Sequence, residues 1–167
     1  MIKMHTIVLM NRADYRKNVQ KLVSELAGKY DKACYISFTN PYEIIVELLQ
    51  SADVEDGKFI VIESNDGIEE SQTVSSTAYL VPIRDLFEVY LLVRNLIKND
   101  GVKHILIDSL SALISEYKGL PVKENITNLL LEVGTFRCNS SLIVFNEHQE
   151  HEVVQHLRPL IGENVRL

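Results

Sequence analysis

The segment His104-Ile105-Leu106-Ile107-Asp108-Ser109-Leu110-Ser111-Ala112-Leu113 contains a short apolar run that ends at an acidic residue. A run of this kind is typical of a strand that is buried on both faces of a parallel sheet. Asp108 or Ser109 can cap a following helix, because their side-chain oxygens accept hydrogen bonds from the free amides of its first turn. The segment therefore predicts a buried strand with a helix directly after it.

Similar runs recur along the chain and alternate with helical patterns. The further strand candidates are residues 6–10, 33–38, 59–63 and 142–145, with a shorter candidate at residues 79–82. Apolar residues recur at helical spacing within residues 19–26, 44–49, 85–99, 123–136 and 153–161. This alternation predicts the α/β class, as a three-layer α/β/α fold with a mostly parallel central sheet and one domain over residues 1–167.

Glycine, proline and polar residues mark the predicted ends of these elements. Gly28 is predicted to close the first helix and Gly101 the third, because glycine favours the left-handed C-cap. The segment Asn40-Pro41-Tyr42-Glu43 predicts an N-cap at Asn40 with proline in the first turn. The polar residues 64–77 are predicted to form a mobile loop beside the carboxyl edge of the sheet.

Composition and charge narrow the classes of function. The net charge of −6, from 17 basic and 23 acidic side chains, argues against a broad nucleic-acid surface. No apolar run approaches the roughly 20 residues of a membrane span. Residues 1–5 also lack the apolar core of a signal peptide. Cys34 and Cys138 are predicted to be buried free thiols. These features predict a cytoplasmic protein without a membrane or nucleic-acid partner.

The residues after the first strand candidate have the length of a phosphate-binding loop. They read Asn11-Arg12-Ala13-Asp14-Tyr15-Arg16-Lys17-Asn18, where such a loop would read G-x-x-x-x-G-K-[ST]. Only Lys17 is retained. Asn11 and Arg16 occupy the glycine positions, Asn18 replaces the hydroxyl that binds Mg²⁺, and Asp14 adds a negative charge where the anion would lie. The segment therefore predicts a loop that does not cradle a triphosphate.

Three segments together resemble the core of the RecA/KaiC-type P-loop ATPases, and in particular the KaiC-like branch. Residues 104–113 are similar to the Walker B segment of that family, residues 34–38 to its second strand, and residues 142–147 to the strand that ends at its sensor position. The order and spacing of these segments fit over nearly the whole chain. The resemblance implies a RecA/KaiC-like fold with a degenerate Walker A motif.

Other parts of the family's hydrolytic apparatus are missing from this sequence. The family uses a carboxylate after its second strand to activate the attacking water, but Thr39 and Asn40 stand there, and neither is a base at neutral pH. Family domains also continue with further strands, whereas only residues 164–167 remain here for one. The resemblance therefore implies a chain that does not hydrolyse ATP. It argues against a family-type hexameric ring and leaves a homo-oligomer open.

Two interpretations of the retained residues stay open. The candidates for a residual nucleotide or anion site are Arg12, Arg16, Lys17, Asp108, Ser109 and Asn146. In one interpretation the N-terminus of the first helix and its basic residues still bind ATP or ADP weakly. In the other, Asp108 or Ser109 caps a helix and Lys17 simply lies on the first turn of the first helix. No resident cofactor is predicted.

Two histidines form a weaker candidate site. His148 and His151 lie three residues apart in the acidic segment 147–152, and on one face of a helix they would suit a divalent metal. Their spacing matches no zinc motif that we can name. The solvated start of an acidic helix accounts for the same residues, so no metal site is predicted.

Three functions are compatible with these features. The predicted one is a non-catalytic KaiC-like domain that acts as a regulatory or protein-interaction module, linked to signalling or transcription, with an unidentified protein partner. One alternative is a sensor that binds a nucleotide or anion without hydrolysing it. The other is an enzyme of the ATPase fold whose site has moved, with candidate residues Asp66, Asp108, Asn146 and His148.

Overall fold

The computed structural model describes residues 4–167, and its strands and helices alternate along the chain. The strands are β1 (His5–Met10), β2 (Ala33–Ser37), β3 (Phe59–Asn65), β4 (Gln72–Ser75), β5 (Ala78–Pro82), β6 (His104–Asp108), β7 (Asn139–Phe145) and β8 (Glu163–Arg166). The helices are α1 (Tyr15–Lys29), α2 (Tyr42–Ser51), α3 (Leu86–Asp100), α4 (Leu110–Glu116), α5 (Val122–Thr135) and α6 (Glu152–Leu157). The prediction about a signal peptide falls mostly on residues 1–3, which lie outside the described residues.

The eight strands lie in one sheet, in the order β4-β5-β3-β2-β6-β7-β1-β8. Neighbouring strands are parallel, except for the antiparallel pair β4 and β5. The chain leaves β2 toward β3 on one side and leaves β6 toward β7 on the other, so the strand order reverses between β2 and β6. A reversal of this kind places a crevice at the carboxyl edge of a sheet. Ser37 of β2 pairs in register with Asp108 of β6 at that edge.

Helices cover both faces of the sheet and bury two separate apolar cores. One core joins the sheet to α1 and α2, through residues such as Val19, Val23 and Ile45. The other joins the opposite face to α3, α4, α5 and α6, through residues such as Val89 and Leu130. The predicted three-layer α/β/α fold with a mostly parallel sheet is therefore confirmed.

The prediction of a mobile loop over residues 64–77 is wrong. Strand β3 continues to Asn65, and Gln72–Ser75 forms β4, which pairs with β5. All four residues of β4 are exposed. An exposed strand carries no apolar alternation, so this one has no pattern that distinguishes it from a polar loop.

Three helix ends differ from the predictions, whereas Gly101 is confirmed as the left-handed C-cap of α3, with φ of 74°. Gly28 lies inside the last turn of α1, which ends one residue later. The N-cap of α2 is Pro41, and the predicted cap at Asn40 is wrong. The side chain of Glu63 accepts the amide of Tyr42 at 2.7 Å instead. Helix α6 ends at Leu157, before the predicted pattern ends, and a 3-10 turn follows it.

Two further predictions can be compared with the structure. Cys34 and Cys138 are buried free thiols, as expected. Within residues 4–167, no helix combines the length and the apolar character that crossing a bilayer requires.

Candidate functional site

The backbone between β1 and α1 forms a 3-10 turn, Arg12–Asp14, whose amides are bonded within the segment. The amide of Ala13 donates to the side chain of Asn11 at 3.0 Å, and the amide of Asp14 donates to the carbonyl of Asn11 at 3.1 Å. The amide of Tyr15 donates to the carbonyl of Arg12. Three consecutive N–H groups are thus occupied, whereas an anion cradle needs such groups to be free to converge on a ligand.

Asp108, the last residue of β6, is fully buried and accepts hydrogen bonds from two tyrosines. The hydroxyls of Tyr15, on the first turn of α1, and of Tyr35, in the middle of β2, both donate to its Oδ2 atom. Its Oδ1 atom is buried without a hydrogen-bond partner among residues 4–167. The carboxylate is therefore enclosed by protein at the reversal point of the sheet.

The electrostatics of this group follow from its burial. Burial raises the pKa of the Asp108 carboxyl from 3.8 to about 6, although the hydrogen bonds from Tyr15 and Tyr35 oppose the shift. Burial and the nearby negative charge of Asp108 raise the pKa of both tyrosines well above its ordinary value. At neutral pH the tyrosines are consequently protonated donors, and they hold a buried carboxylate that is mostly ionised.

Asn40, which follows β2, joins the hydrogen bonds around Asp108 through Tyr15. The side-chain amide of Asn40 donates to the hydroxyl of Tyr15 at 2.9 Å. Ser37 holds Asn40 in turn, because its hydroxyl donates to the Asn40 carbonyl at 2.7 Å and accepts the Asn40 amide at 3.0 Å. Asn40 therefore orients Tyr15, and Thr39 beside it is exposed.

Ser109 has a structural role in the fold. Its hydroxyl accepts the amide of Ala112 at 3.0 Å and caps α4, so the prediction of a cap after β6 is confirmed. The carbonyl of Asp108 accepts the amide of Phe38 at 2.8 Å, which ties the end of β6 to the end of β2.

The three basic candidates have different surroundings. The guanidinium of Arg12 lies 4.2 Å from the centre of the Phe145 ring and donates through Nε to Glu147 Oε1 at 2.9 Å. Arg16 and Lys17 are exposed on the first turn of α1, as predicted for Lys17. Neither has a polar partner among the described residues. The structure therefore ties Arg12 to the end of β7 and leaves Arg16 and Lys17 facing solvent.

Asn146, directly after β7, is bonded to the last strand. Arg166 of β8 donates to Asn146 Oδ1 at 2.9 Å and to Gln149 Oε1 at 3.1 Å. The side-chain oxygen of Asn146 is thus already a hydrogen-bond acceptor within the protein.

Known proteins match this chain in fold but not in sequence. No protein-family model matches the sequence, and no curated protein matches it either. The structure is similar to that of a KaiC-like protein from the hyperthermophilic archaeon Pyrococcus horikoshii OT3, with a TM-score of 0.69. The fold is KaiC-like. The matched region covers 98% of this chain and 70% of that protein at 7% sequence identity, so the similarity establishes the KaiC-like fold alone.

The two histidines lie in different local structures of this KaiC-like fold. His148 ends a 3-10 turn and His151 precedes α6, so the two side chains do not share a helix face. Their ring centres lie 6.3 Å apart, and Nδ1 of His151 accepts the amide of Val153 at 3.2 Å as the cap of α6. Burial lowers the pKa of His148. Within residues 4–167 there is no group of three or more His, Cys, Asp or Glu side chains placed to hold a metal ion.

The residues named for a relocated enzyme site have separate partners. Asp66 is exposed after β3, Asp108 is enclosed by tyrosines, and Asn146 is bonded to Arg166. Across the described part of the chain, no hydrogen bond or ion pair joins any two of these residues and His148. The hydrogen bonds of Asp108 and Asn146 therefore go to other residues of the fold.

Sequence reasoning missed Tyr15, Tyr35 and Arg166, the residues that bond the candidate residues Asp108 and Asn146 in the KaiC-like fold. Tyr35 carried a usable signal, because a tyrosine inside an apolar strand needs a partner for its hydroxyl. Asp108 carried a matching signal, because a carboxylate at the end of a buried strand needs hydrogen-bond donors. Tyr15 and Arg166 carried none, since each reaches its partner from a distant part of the chain.

Proposed function

We propose that this chain is a non-catalytic KaiC-like domain that acts as a regulatory module, linked to signalling or transcription, by binding a protein partner. The observation that carries the proposal is the enclosure of Asp108 by Tyr15 and Tyr35. An acid that serves a bound nucleotide must face the ligand or its metal ion. In this chain Oδ2 of Asp108 faces the two hydroxyls, and one of them belongs to Tyr15 on the first turn of α1.

The segment 11–18 supports the same proposal from the other side of the crevice. Its glycine and hydroxyl positions are filled by Asn11, Arg16 and Asn18, which corresponds to a degenerate Walker A motif. The amides that would cradle a phosphate are bonded within the 3-10 turn. Binding a triphosphate would require those bonds to break and Asp14 to tolerate a second negative charge.

A nucleotide-binding sensor is the second candidate function, and one observation favours it. Arg16 and Lys17 are exposed at the N-terminus of α1 without polar partners in the described chain, in a place that attracts anions. A sensor would bind a nucleotide through these groups without hydrolysing it.

Thermal unfolding and calorimetry with ATP, ADP and GTP, each with and without Mg²⁺, separate these functions. A ligand at 100 times its Kd stabilises a fold by about 2.7 kcal/mol. We expect no shift at millimolar nucleotide and no phosphate release above background.

Two lysine variants give the test its controls. A shift that disappears in Lys17→Ala and persists in Lys21→Ala, a change of another exposed lysine on α1, would establish the sensor. Phosphate release with the same dependence on Lys17 would overturn the non-catalytic proposal.

A further inference from the structure

Three exposed apolar side chains lie on the neighbouring helices α3 and α5. Phe87 is 59% exposed, Leu91 44% and Leu131 53%. Phe87 and Leu91 are four residues apart, so they lie on the same side of α3. We call Phe87, Leu91 and Leu131 the α3 surface. Solitary exposed apolar residues are common, but a contiguous group on one face is typical of an interaction site.

Two grooves flank α3 and include the residues of this surface. One, of about 280 Å³, lies between α3 and α5 and is lined by Phe87, Tyr90 and Leu131 among others. The second, of about 340 Å³, lies between α3 and the β4–β5 hairpin and is lined by Leu91 and Leu92 among others. A helix with apolar residues at positions i, i+3, i+4 and i+7 would fit a ridge with a groove on either side.

The charges at the grooves favour a basic partner. Among the described residues, the charged side chain that lines each groove is acidic: Glu132 of α5 in the first and Glu88 of α3 in the second. Glu132 is paired with Arg94 at 3.2 Å, whereas Glu88 accepts only the hydroxyl of Ser71 among described side chains.

Further acidic residues lie beyond the N-terminus of α3. They are Glu69, Glu70 and Asp85, which precede α3 in the chain and are exposed. The nearby basic residue, Arg84, donates to the carbonyl of Glu69 at 2.8 Å. The local charge is therefore negative, which attracts lysine and arginine and opposes a second copy of this acidic chain.

The geometry of the hairpin argues against an added strand at this edge of the sheet. Strand β4 is only four residues long, and its register with β5 shifts between Thr73 and Ser75. A short strand with a bulge is a poor template for an extended peptide. A helix on the α3 surface uses the exposed side chains without using that edge.

We propose that the α3 surface binds an amphipathic helix with lysine or arginine beside its apolar stripe. The inference rests on the proposed function, because it names the chemistry of the partner that a protein-interaction module would take. Phe87 and Leu91 supply the apolar contact, and Glu88 supplies the attraction for the basic flank.

A labelled helical peptide of leucine and lysine, as long as α3, is a suitable probe for fluorescence anisotropy with the full chain. A matched peptide has glutamate in place of lysine, and a third has the leucine–lysine composition in scrambled order. We expect saturable binding of the first peptide only. The double variant Phe87→Ser/Leu91→Ser should weaken it at least tenfold, as should Glu88→Lys. The control Ile44→Ser should not weaken binding, because Ile44 lies on α2, on the opposite side of the sheet from α3. Ile44 is 38% exposed.

Several outcomes would overturn the inference. Equal binding of the glutamate peptide would remove the charge argument, and equal weakening by Ile44→Ser would show non-specific adhesion. A dimer in light scattering that Leu91→Ser abolishes would make a second copy the occupant. If the double variant does not fold, Glu88→Lys carries the test alone. Nucleotide-dependent stabilisation is a separate result, which would contradict the proposed function and leave the peptide measurement interpretable.

Discussion

The hydroxyl of Tyr15 donates a hydrogen bond to the carboxylate of Asp108 and thereby links the first turn of α1 to the end of β6. Asn40, after β2, donates to the same hydroxyl at 2.9 Å. Side chains at or just after the ends of three different strands therefore form one connected network at the carboxyl edge of the sheet. This network lies where the strand order of the KaiC-like fold reverses, and its energetics can be measured.

Tyr15→Phe should destabilise the protein more at pH 8 than at pH 5. The change removes a donor to a buried carboxylate, and hydrogen bonds to charged groups contribute about 1.5–3 kcal/mol. Without the donor the pKa of Asp108 rises further, so the cost is largest where the carboxylate must be ionised. Denaturant unfolding at the two pH values gives both free energies.

Tyr42→Phe is the matched control, because the hydroxyl of Tyr42 has no hydrogen-bond partner in the described part of the chain. It should show no difference between the two pH values. A cost of Tyr15→Phe that is the same at pH 5 and pH 8 would mean that ring packing, and not the bond to the charge, is responsible.

Asp108→Asn should become more favourable relative to the wild type as pH rises. The pKa of this group is about 6 in the folded state, against 3.8 ordinarily, so the folded protein holds the proton more tightly than the unfolded chain does. Its stabilising contribution is therefore present below pH 3.8 and lost as pH rises through about 6. The shift corresponds to about 3 kcal/mol. Denaturant unfolding of both proteins near pH 4 and pH 7 measures the change in their relative stability. If the difference in unfolding free energy does not depend on pH, the pKa of Asp108 is not raised in the folded state.

His104→Gln should reveal a pH dependence of stability that is opposite in sign to that of Asp108. Burial and the charge of Lys29 lower the pKa of His104 from 6.5 to about 4. The folded protein thus favours the neutral ring, which is bonded to Ser141 Oγ at 2.8 Å. This contribution is present above pH 6.5 and lost as pH falls toward 4.

The advantage of the wild type over His104→Gln should shrink by up to about 3 kcal/mol between pH 7 and pH 4. Since this trend opposes that of Asp108, the two partly cancel in the wild-type profile and become visible only in the single variants. His156→Gln changes an exposed histidine on α6 and controls for the net charge. The same trend in that variant would rule out a specific role of His104.

The sheet is predictable where both of its faces are buried. The centre of β6, residues 105–107, is apolar because helices cover both faces of the sheet there, and the same reason made β1, β2, β3 and β7 predictable. Strand β4 was missed because solvent covers it, so its residues were not selected for an apolar pattern. Buried strands can therefore be predicted from their apolar pattern, whereas the exposed strand β4 has no such pattern.

The candidate site is less predictable because its contacts are long-range. Asp108 and Ser109 were identified from a local segment, but Tyr15 lies 93 residues from Asp108 in the chain. Asn40 shows the same effect. Its sequence context is that of an N-cap, yet the structure uses its side chain to orient Tyr15. The local sequence around Asn40 gives no information about Tyr15, so it predicts a bond to the first turn of α2 that the structure does not contain.

Ser111→Ala should destabilise the protein although it improves the helix propensity of α4. The hydroxyl of Ser111 is buried and accepts the backbone amide of Phe145 at 2.8 Å, at the end of β7. Alanine would leave that buried amide without an acceptor, at a cost of about 1–3 kcal/mol. Hydrogen exchange should show faster exchange at the Phe145 amide, together with the loss in denaturant unfolding.

Ser115→Ala is the control on the same helix. Its hydroxyl bonds only the carbonyl of Ser111, one turn earlier, so alanine removes no partner from a buried amide. We expect a change of less than about 0.5 kcal/mol, as for most surface substitutions. If the two variants lose equal stability, or if the Phe145 amide exchanges at the wild-type rate in Ser111→Ala, the serine does not hold β7 to α4.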